Sequence, residues 1–220
     1  MIKGLIFDLD GTLIDSIGDI HYSINLALEK HGYEKQSYDF VKLNTGRGFR
    51  VLVKDCLPKD VSDEVIDEVN KTYTKFYGEY YNERTKAYDE VYETLLKLQE
   101  QGIKLAVNSN KKDEYTKNLM KSIFPKIEFV AVYGERAGIK NKPDPQTAHE
   151  IVNIMGLQIN EVLYVGDSEV DIRTAKNGGF ESIGCKWGFR GEDILYKEGA
   201  TYIIDRPSKI IDVIGGNYNG

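Results

Sequence analysis

Short apolar runs, rich in branched side chains, recur along the chain and alternate with segments of helical periodicity. Runs of this length are typical of strands that are buried on both faces of a parallel sheet. Strands that alternate with helices indicate right-handed crossovers and a doubly wound, Rossmann-like α/β sheet. Ligands in such sheets bind beyond the carboxyl ends of the strands. The four predicted strands cover residues 5–7, 103–107, 129–132 and 162–165.

The alternation stops between residues 15 and 85, where no segment resembles a buried strand. Apolar residues from 17 to 28 and again from 65 to 80 recur at the spacing of amphipathic helices. We therefore expect an all-helical cap domain, residues 15–85, inserted into an α/β catalytic core. That core is expected to consist of residues 1–14 and 86–220.

The composition of the 220 residues is ordinary for a globular protein, with 41% hydrophobic residues and a net charge of −6. The negative charge argues against nucleic-acid binding, which normally requires a basic face. It does not exclude an anionic substrate, because a metal ion and a few lysines can reverse the local field. No apolar run approaches the roughly 20 residues of a membrane-spanning helix. Since a strand is predicted directly at the N-terminus, we expect a cytoplasmic protein with no membrane partner.

Two carboxylates end the first predicted strand, in the sequence Asp8-Leu9-Asp10-Gly11-Thr12. Charges at a sheet edge are costly unless they are paired, and a metal ion is the obvious partner. Alternate residues of an extended segment point to the same side, so Asp8 and Asp10 are expected to face one site. An Asp-Gly turn without a chemical role is the alternative for this motif taken alone.

Three further polar segments lie beside the other predicted strands. Asn108-Ser109-Asn110 follows the second strand, and Lys142 precedes a proline-flanked helix start. Asp167 and Asp171 follow the strand that ends at residue 165 and would lie about one helical turn apart. A capping serine, a surface lysine and acids at a helix N-terminus explain each segment alone. Together the segments predict carboxylates, a hydroxyl and a lysine at one edge of the sheet.

In this order, and over the whole chain, the four segments resemble the motifs of the haloacid dehalogenase-like hydrolase superfamily. The insertion after the first motif is similar to the small cap of the subfamily that includes phosphoglycolate phosphatases, β-phosphoglucomutases and related pyrophosphatases. The resemblance implies a phosphoric monoester hydrolase that uses Mg²⁺. Dehalogenases of the superfamily lack a carboxylate at the position of Asp10, since they have no leaving oxygen to protonate, so phosphoryl transfer is the expected reaction.

The chemistry of phosphate esters and the resemblance assign a role to each motif. Asp8 is the expected nucleophile that forms an aspartyl-phosphate, and Asp10 the group that protonates the leaving oxygen and then activates water. Ser109 and Lys142 are expected to bind and neutralise the transferring phosphoryl group. The Mg²⁺ ligands that the resemblance implies are the Asp8 carboxylate, the Asp10 backbone carbonyl, the Asp167 carboxylate, and Asp171 directly or through water. The expected phosphate-binding residues are Gly11, Thr12, Ser109, Asn110 and Lys142.

Substrate selection is expected to lie in the insertion, because the core motifs handle only the phosphoryl group. Residues 44–50 contain a glycine-flanked loop with two arginines. We expect Gly46, Arg47 and Arg50 to contact the substrate, with one guanidinium binding an anionic group of the leaving alcohol. A helix–helix turn with solvated cations is the alternative. Residues 45–58 resemble the corresponding stretch of phosphoglycolate phosphatases.

A small phosphorylated metabolite is therefore the expected partner, with 2-phosphoglycolate as the preferred substrate. Pyrophosphate or a sugar phosphate is the second candidate. A β-phosphoglucomutase-type mutase is disfavoured, because residues 166–171 resemble the phosphatase version of the fourth motif. A non-catalytic binding protein is the least favoured, since the set of motif residues is complete. The sequence does not distinguish a monomer from a homodimer.

Overall fold

The computed structural model describes residues 1–218 and contains a large sheet and a separate two-stranded pair. The strands are β1 (Gly4–Phe7), β2 (Ile14–Asp15), β3 (Lys86–Ala87), β4 (Lys104–Lys112), β5 (Phe129–Glu135), β6 (Val162–Gly166), β7 (Glu181–Cys185) and β8 (Tyr202–Ile204). The large sheet has the order β5-β4-β1-β6-β7-β8, and all of its pairings are parallel. The chain winds outward from β1 in both directions, which confirms the predicted doubly wound α/β class.

Helices cover the large sheet and fill the segment between β2 and β3. Within residues 1–218 the α-helices are α1 (Ile17–Lys30), α2 (Tyr38–Asn44), α3 (Phe49–Cys56), α4 (Asp63–Tyr80), α5 (Val91–Glu100), α6 (Asp113–Ile123), α7 (Gln146–Met155), α8 (Glu169–Gly178), α9 (Glu192–Glu198) and α10 (Lys209–Ile214). None of these helices is long and apolar enough to cross a membrane.

The central strand β1 is buried on both faces because its side chains alternate between two apolar clusters. Leu5 and Phe7 join the larger core cluster, whereas Ile6 packs on the opposite face. At its start, a Cβ added to Gly4 would lie 2.8 Å from Leu157 and Met155, so α7 and the turn after it approach the sheet closely there. This packing fixes the position of β1 in the sheet, and therefore the position of the residues that follow it.

Helices α1–α4 pack around a second hydrophobic cluster, which Phe189 from the loop after β7 also joins. Tyr73 and Tyr77 on α4 are fully buried, and the Tyr73 ring lies 4.7 Å from the ring of Phe49, between centroids. The helical spacing of the tyrosines predicts such packing inside the insertion, and the structure confirms it for these two residues. Aliphatic and aromatic side chains between the helices therefore hold the insertion in shape, without support from a sheet of its own.

Two crossings join the helical insertion to the rest of the chain, and they lie side by side. β2 and β3 pair there as antiparallel strands of two residues each. Asp19, at the start of α1, is fully buried and accepts hydrogen bonds from the backbone N–H groups of Arg84 and Thr85. The Thr85 hydroxyl donates a further bond of 2.7 Å to the same carboxylate. One buried carboxylate thus ties the outgoing crossing to the returning one.

The second predicted strand is longer than its apolar run. β4 does not end at residue 107 but continues to Lys112, with a shift of register against β5 between Asn108 and Lys112. The polar segment at 108–110 therefore lies within an irregular part of the strand, where pairing to β5 continues after the apolar pattern has stopped.

The glycine-rich C-terminus predicts a frayed tail over residues 215–220. Tyr218 is instead packed, with its ring edge-on to Tyr202 at 5.8 Å and its hydroxyl donating to the carbonyl of Ile203. Residues 219 and 220 lie outside the described residues.

Candidate active site

The carboxylates of Asp8, Asp167 and Asp171 meet at the carboxyl edge of the large sheet. Asp8 follows β1, Asp167 follows β6, and Asp171 lies in the first turn of α8. One oxygen of each lies within 4.8 Å of the others, and all three residues are buried. Carboxylate oxygens are the ligands that hard divalent cations such as Mg²⁺ prefer. The cluster therefore fits a divalent cation.

Lys142 reaches the same cluster from the segment between β5 and α7. Its ammonium lies 2.7 Å from a carboxylate oxygen of Asp8 and 2.7 Å from one of Asp171, and its side chain is 3% exposed. Such burial of a charge is tolerated only with charged partners. The lysine therefore supplies a fixed positive charge beside the expected nucleophile.

The side chain of Asn110 positions Lys142 by binding the backbone of Lys142. The Lys142 N–H donates to Asn110 Oδ1 at 2.9 Å, and Asn110 Nδ2 donates to the Lys142 carbonyl at 3.1 Å. The same Nδ2 donates to the Gly46 carbonyl at 3.0 Å and so reaches the insertion. Both the oxygen and the nitrogen of the Asn110 carboxamide thus bind backbone groups and are not available to bind phosphate. Ser109 also lines the cavity above Asp8, where its Oγ accepts from the N–H of Lys111 at 3.1 Å.

The carboxylate of Asp10 lies between two donors. Ser16 Oγ donates to Oδ1, and the ammonium of Lys111 lies 2.8 Å from Oδ2. Sequence reasoning missed Lys111, because two consecutive lysines before a helix are typical of a solvated surface. The continuation of β4 instead buries its side chain to 1% exposure.

Other residues donate hydrogen bonds to the acids of the cluster. Asp167 accepts from the Phe189 N–H at 2.6 Å and from Thr12 Oγ1 at 3.3 Å, so Thr12 orients a carboxylate instead of facing the phosphate. Gly11 has φ of +89°, and a Cβ there would lie 2.4 Å from Asp167 Oδ2. Any side chain at this position would collide with the cluster, which explains why glycine occupies it.

Burial and mutual repulsion shift the pKa values of the cluster. Burial, followed by the charge of Asp171, raises the pKa of Asp8 well above its usual value. The same two causes raise the pKa of Asp167 to about 7. Burial alone would lower the pKa of Lys142, but the charges of Asp171 and Asp8 outweigh it and raise that pKa. One ammonium thus does not offset the negative charge that the three carboxylates would carry when all are ionised, and a divalent cation would stabilise that ionised form.

The raised pKa of Asp167 predicts a pH-dependent stabilisation by Mg²⁺. Its pKa in the folded state, about 7, exceeds the unfolded value of about 3.9. The folded state therefore binds this proton more tightly than the unfolded state, and the stabilisation that the proton gives is lost as pH rises through this range. Protons compete with the metal below the folded pKa, and affinity falls by about tenfold per pH unit for one such ligand. We expect Mg²⁺ to raise Tm more at about pH 8 than at about pH 6, as thermal unfolding with and without the ion would measure. Equal shifts at both pH values would contradict this.

The arginines expected to contact substrate, Arg47 and Arg50, lie elsewhere. Arg47 donates to Asp55 at 2.9 Å, and both carboxylates bound by Arg50 belong to α4. Neither arginine lines the cavity above Asp8, whereas Gly46 does. The expectation for the two arginines is therefore not met by the geometry. Their side chains are 41% and 44% exposed, and partners on the insertion itself hold them there.

This geometry predicts small effects for Arg47→Ala and Arg50→Ala. Exposed ion pairs contribute little, and neither guanidinium reaches the cavity. We expect kcat/KM for the preferred substrate to change by less than about threefold in each variant, which corresponds to the usual range for surface substitutions. Steady-state kinetics would test this. A loss of tenfold or more in either variant would show that this arginine contributes to substrate binding.

A different arginine, Arg190, joins the core to the loop at residues 44–50. Its guanidinium donates to the carbonyls of Lys42 at 2.9 Å and Thr45 at 2.5 Å, while its Nε donates to Glu169 at 3.0 Å. Sequence reasoning missed this residue as well, because one arginine in a loop after β7 carries no pattern. Arg190 holds the insertion over the cluster in this conformation.

Comparison with known proteins agrees with this geometry. Residues 5–185 match the family model described as haloacid dehalogenase-like hydrolase. The phosphoglycolate phosphatase of Aquifex aeolicus is 31% identical over 213 residues, which cover 97% of each chain. That of Vibrio parahaemolyticus is 28% identical over 219 residues, covering 97% of this chain and 96% of the relative.

Solved structures lead to the same family. A crystal structure of a predicted phosphoglycolate phosphatase from Haemophilus somnus has a TM-score of 0.89 and 26% identity, covering 97% of this chain and 98% of that chain. These findings confirm the prediction of a phosphoric monoester hydrolase from the four motifs. The chain belongs to the haloacid dehalogenase-like hydrolase family.

Proposed function

We propose that this phosphatase hydrolyses 2-phosphoglycolate with Mg²⁺ bound at the acidic cluster. The observation that carries the proposal is the pairing of two differently held carboxylates at the end of β1. Asp8 contacts Lys142, whereas Asp10 contacts Ser16 and Lys111. A nucleophile and a separate acid–base group are what phosphate-ester hydrolysis through a covalent intermediate requires. The names of the relatives support phosphoglycolate as the ester.

In the first step, a carboxylate oxygen of Asp8 attacks phosphorus, and the bond from phosphorus to the ester oxygen breaks. Asp10 gives its proton to the departing glycolate oxygen. The ammonium of Lys142, 2.7 Å from Asp8, offsets the negative charge on the transferring group. In the second step, Asp10 takes a proton from water, which attacks the aspartyl-phosphate, releases phosphate and restores Asp8.

The residues that would hold Mg²⁺ are Asp8, Asp167, Asp171 and the backbone carbonyl of Asp10. When bound, the ion would supply Lewis-acid stabilisation of the phosphoryl oxygens and lower their repulsion of the nucleophile. The buried donors to Asp167 and the cap interactions of Ser168 with Asp171, at 2.6 and 3.1 Å, orient two of these ligands. Such support of metal ligands normally sharpens affinity.

The test is a comparison of kcat/KM in the presence of Mg²⁺ across 2-phosphoglycolate, pyrophosphate, β-glucose 1-phosphate and other sugar phosphates. We expect 2-phosphoglycolate to dominate and activity to disappear with a chelator. Faster hydrolysis of pyrophosphate or of a sugar phosphate would replace the proposed substrate. Conversion of β-glucose 1-phosphate to another sugar phosphate, with slow release of free phosphate, would identify a mutase.

A further inference from the structure

The cavity above Asp8 and Asp10 has walls of contrasting chemistry. It is a narrow, partly open cleft in this conformation, with a cavity volume of about 20 Å³. The insertion contributes mostly apolar and backbone surface, and the core contributes polar groups. The lining residues used below are Asp10, Gly46, Phe49, Leu52, Tyr73 and Lys111.

Lys111 supplies a cation beside Asp10 in the wall of this cavity. Its ammonium lies 2.8 Å from Asp10 Oδ2 and 4.8 Å from the centroid of the Tyr77 ring. An ammonium has three N–H donors. Within residues 1–218, the Lys111 ammonium makes a single hydrogen bond, so two of its N–H donors in the cavity wall have no protein acceptor.

Tyr73, which also lines this cavity, has a hydroxyl without a hydrogen-bond partner among the described residues. The Tyr73 residue is fully buried. Buried hydroxyls are normally paired, and unpaired ones call for an explanation such as a ligand. Phe49 and Leu52 line the same cavity and offer no polar group to it. A ligand with acceptor atoms would offer partners to the Tyr73 hydroxyl and to the remaining donors of Lys111.

We propose that Lys111, assisted by the Tyr73 hydroxyl, binds the carboxylate of the leaving group and selects phosphate esters of α-hydroxy acids. The proposal rests on the proposed function and assigns its substrate specificity to the core rather than to the arginines of the insertion. In such an ester, two carbons connect the bridging oxygen to a carboxylate oxygen, and the two oxygens lie roughly 3 Å apart. Asp10 Oδ2 and Lys111 Nζ are neighbours, 2.8 Å apart, so the two groups can face two neighbouring oxygens of one ester. Asp10 can then reach the bridging oxygen while Lys111 reaches the carboxylate.

The test is the ratio of kcat/KM for 2-phosphoglycolate to kcat/KM for ethyl phosphate, which lacks the carboxylate. Lys111→Met is expected to lower this ratio by about 10- to 100-fold, the usual effect of a hydrogen bond to a charged group. Lys111→Arg should restore part of it. Lys112→Met is the matched control and should leave the ratio unchanged, because Lys112 is not among the residues that line this cavity and its ammonium donates to Thr74 Oγ1 at 3.3 Å.

A second variant keeps the proposal testable if Lys111→Met does not fold. Tyr73→Phe preserves the ring packing and removes only the hydroxyl, so the ratio of kcat/KM for 2-phosphoglycolate to kcat/KM for ethyl phosphate should fall in this variant as well; an unchanged ratio would remove Tyr73 from the assignment. Equal losses on both substrates in the Lys111 variants would mean that the lysine acts only through Asp10, and the assignment would be overturned. A wild-type protein without preference for 2-phosphoglycolate over ethyl phosphate would overturn the proposed function and this assignment together.

Discussion

Asp8→Asn is expected to reduce phosphate release by at least about 10³-fold, since it removes the nucleophile of the proposed reaction. The amide has nearly the shape of the carboxylate, so the packing around β1 should persist. Phosphate release from 2-phosphoglycolate with Mg²⁺, at saturating substrate, measures the effect.

The matched control for this substitution is Asp144→Asn. Asp144 is a carboxylate near Lys142 in sequence, but it caps the start of α7 by accepting from the N–H of Gln146 at 3.0 Å. It is outside the acidic cluster and should keep near-wild-type activity. An Asp8→Asn protein that is folded and retains a tenth or more of the wild-type rate would contradict nucleophilic attack by Asp8.

Asp19→Ala is expected to lower the free energy of unfolding by about 2 to 4 kcal/mol, because it leaves several donors without their acceptor. The backbone N–H groups of Arg84 and Thr85 and the Thr85 hydroxyl all donate to this fully buried carboxylate. The ion pair with the half-exposed guanidinium of Arg84, at 3.2 Å, should contribute little of this loss. Urea unfolding of wild type and variant measures the difference.

Glu83→Ala is the matched control for Asp19→Ala. Glu83 pairs with the same Arg84 guanidinium, also at 3.2 Å, but its side chain is 51% exposed. Its removal should change stability by no more than about 0.5 kcal/mol. Similar small effects in both variants would show that the bonds to Asp19 do not hold the two crossings together.

The strand-end residues were predictable from sequence because parallel strands place their carboxyl ends at one edge. An apolar run followed by polar residues specifies such an end, and this places Asp8, Asp167 and Asp171 together. Lys142 has no such run directly before it and was placed from the proline-flanked helix start that follows it. The approach of its ammonium to within 2.7 Å of two carboxylates depends on the course of the chain between β5 and α7.

The parts of the site that were missed depend on tertiary contacts with little local pattern. Arg47 and Arg50 lie near a glycine-flanked loop, but carboxylates on neighbouring helices bind their guanidinium groups. Lys111 is buried because β4 continues past its apolar run, which its polar sequence does not indicate. Strand β7 was missed for a related reason. Gly184 interrupts its apolar pattern, where a Cβ would lie 3.0 Å from Leu195.

Trapping the covalent intermediate on Asp8 tests the central claim most directly. In Asp10→Asn, p-nitrophenyl phosphate can still transfer its phosphoryl group, because its leaving group departs without a proton, whereas water activation is slowed. Acid quenching and peptide mass spectrometry should then find one phosphoryl group on Asp8. A phosphoryl group on another residue, or an unmodified Asp8 in a sample that has released p-nitrophenol, would contradict the account.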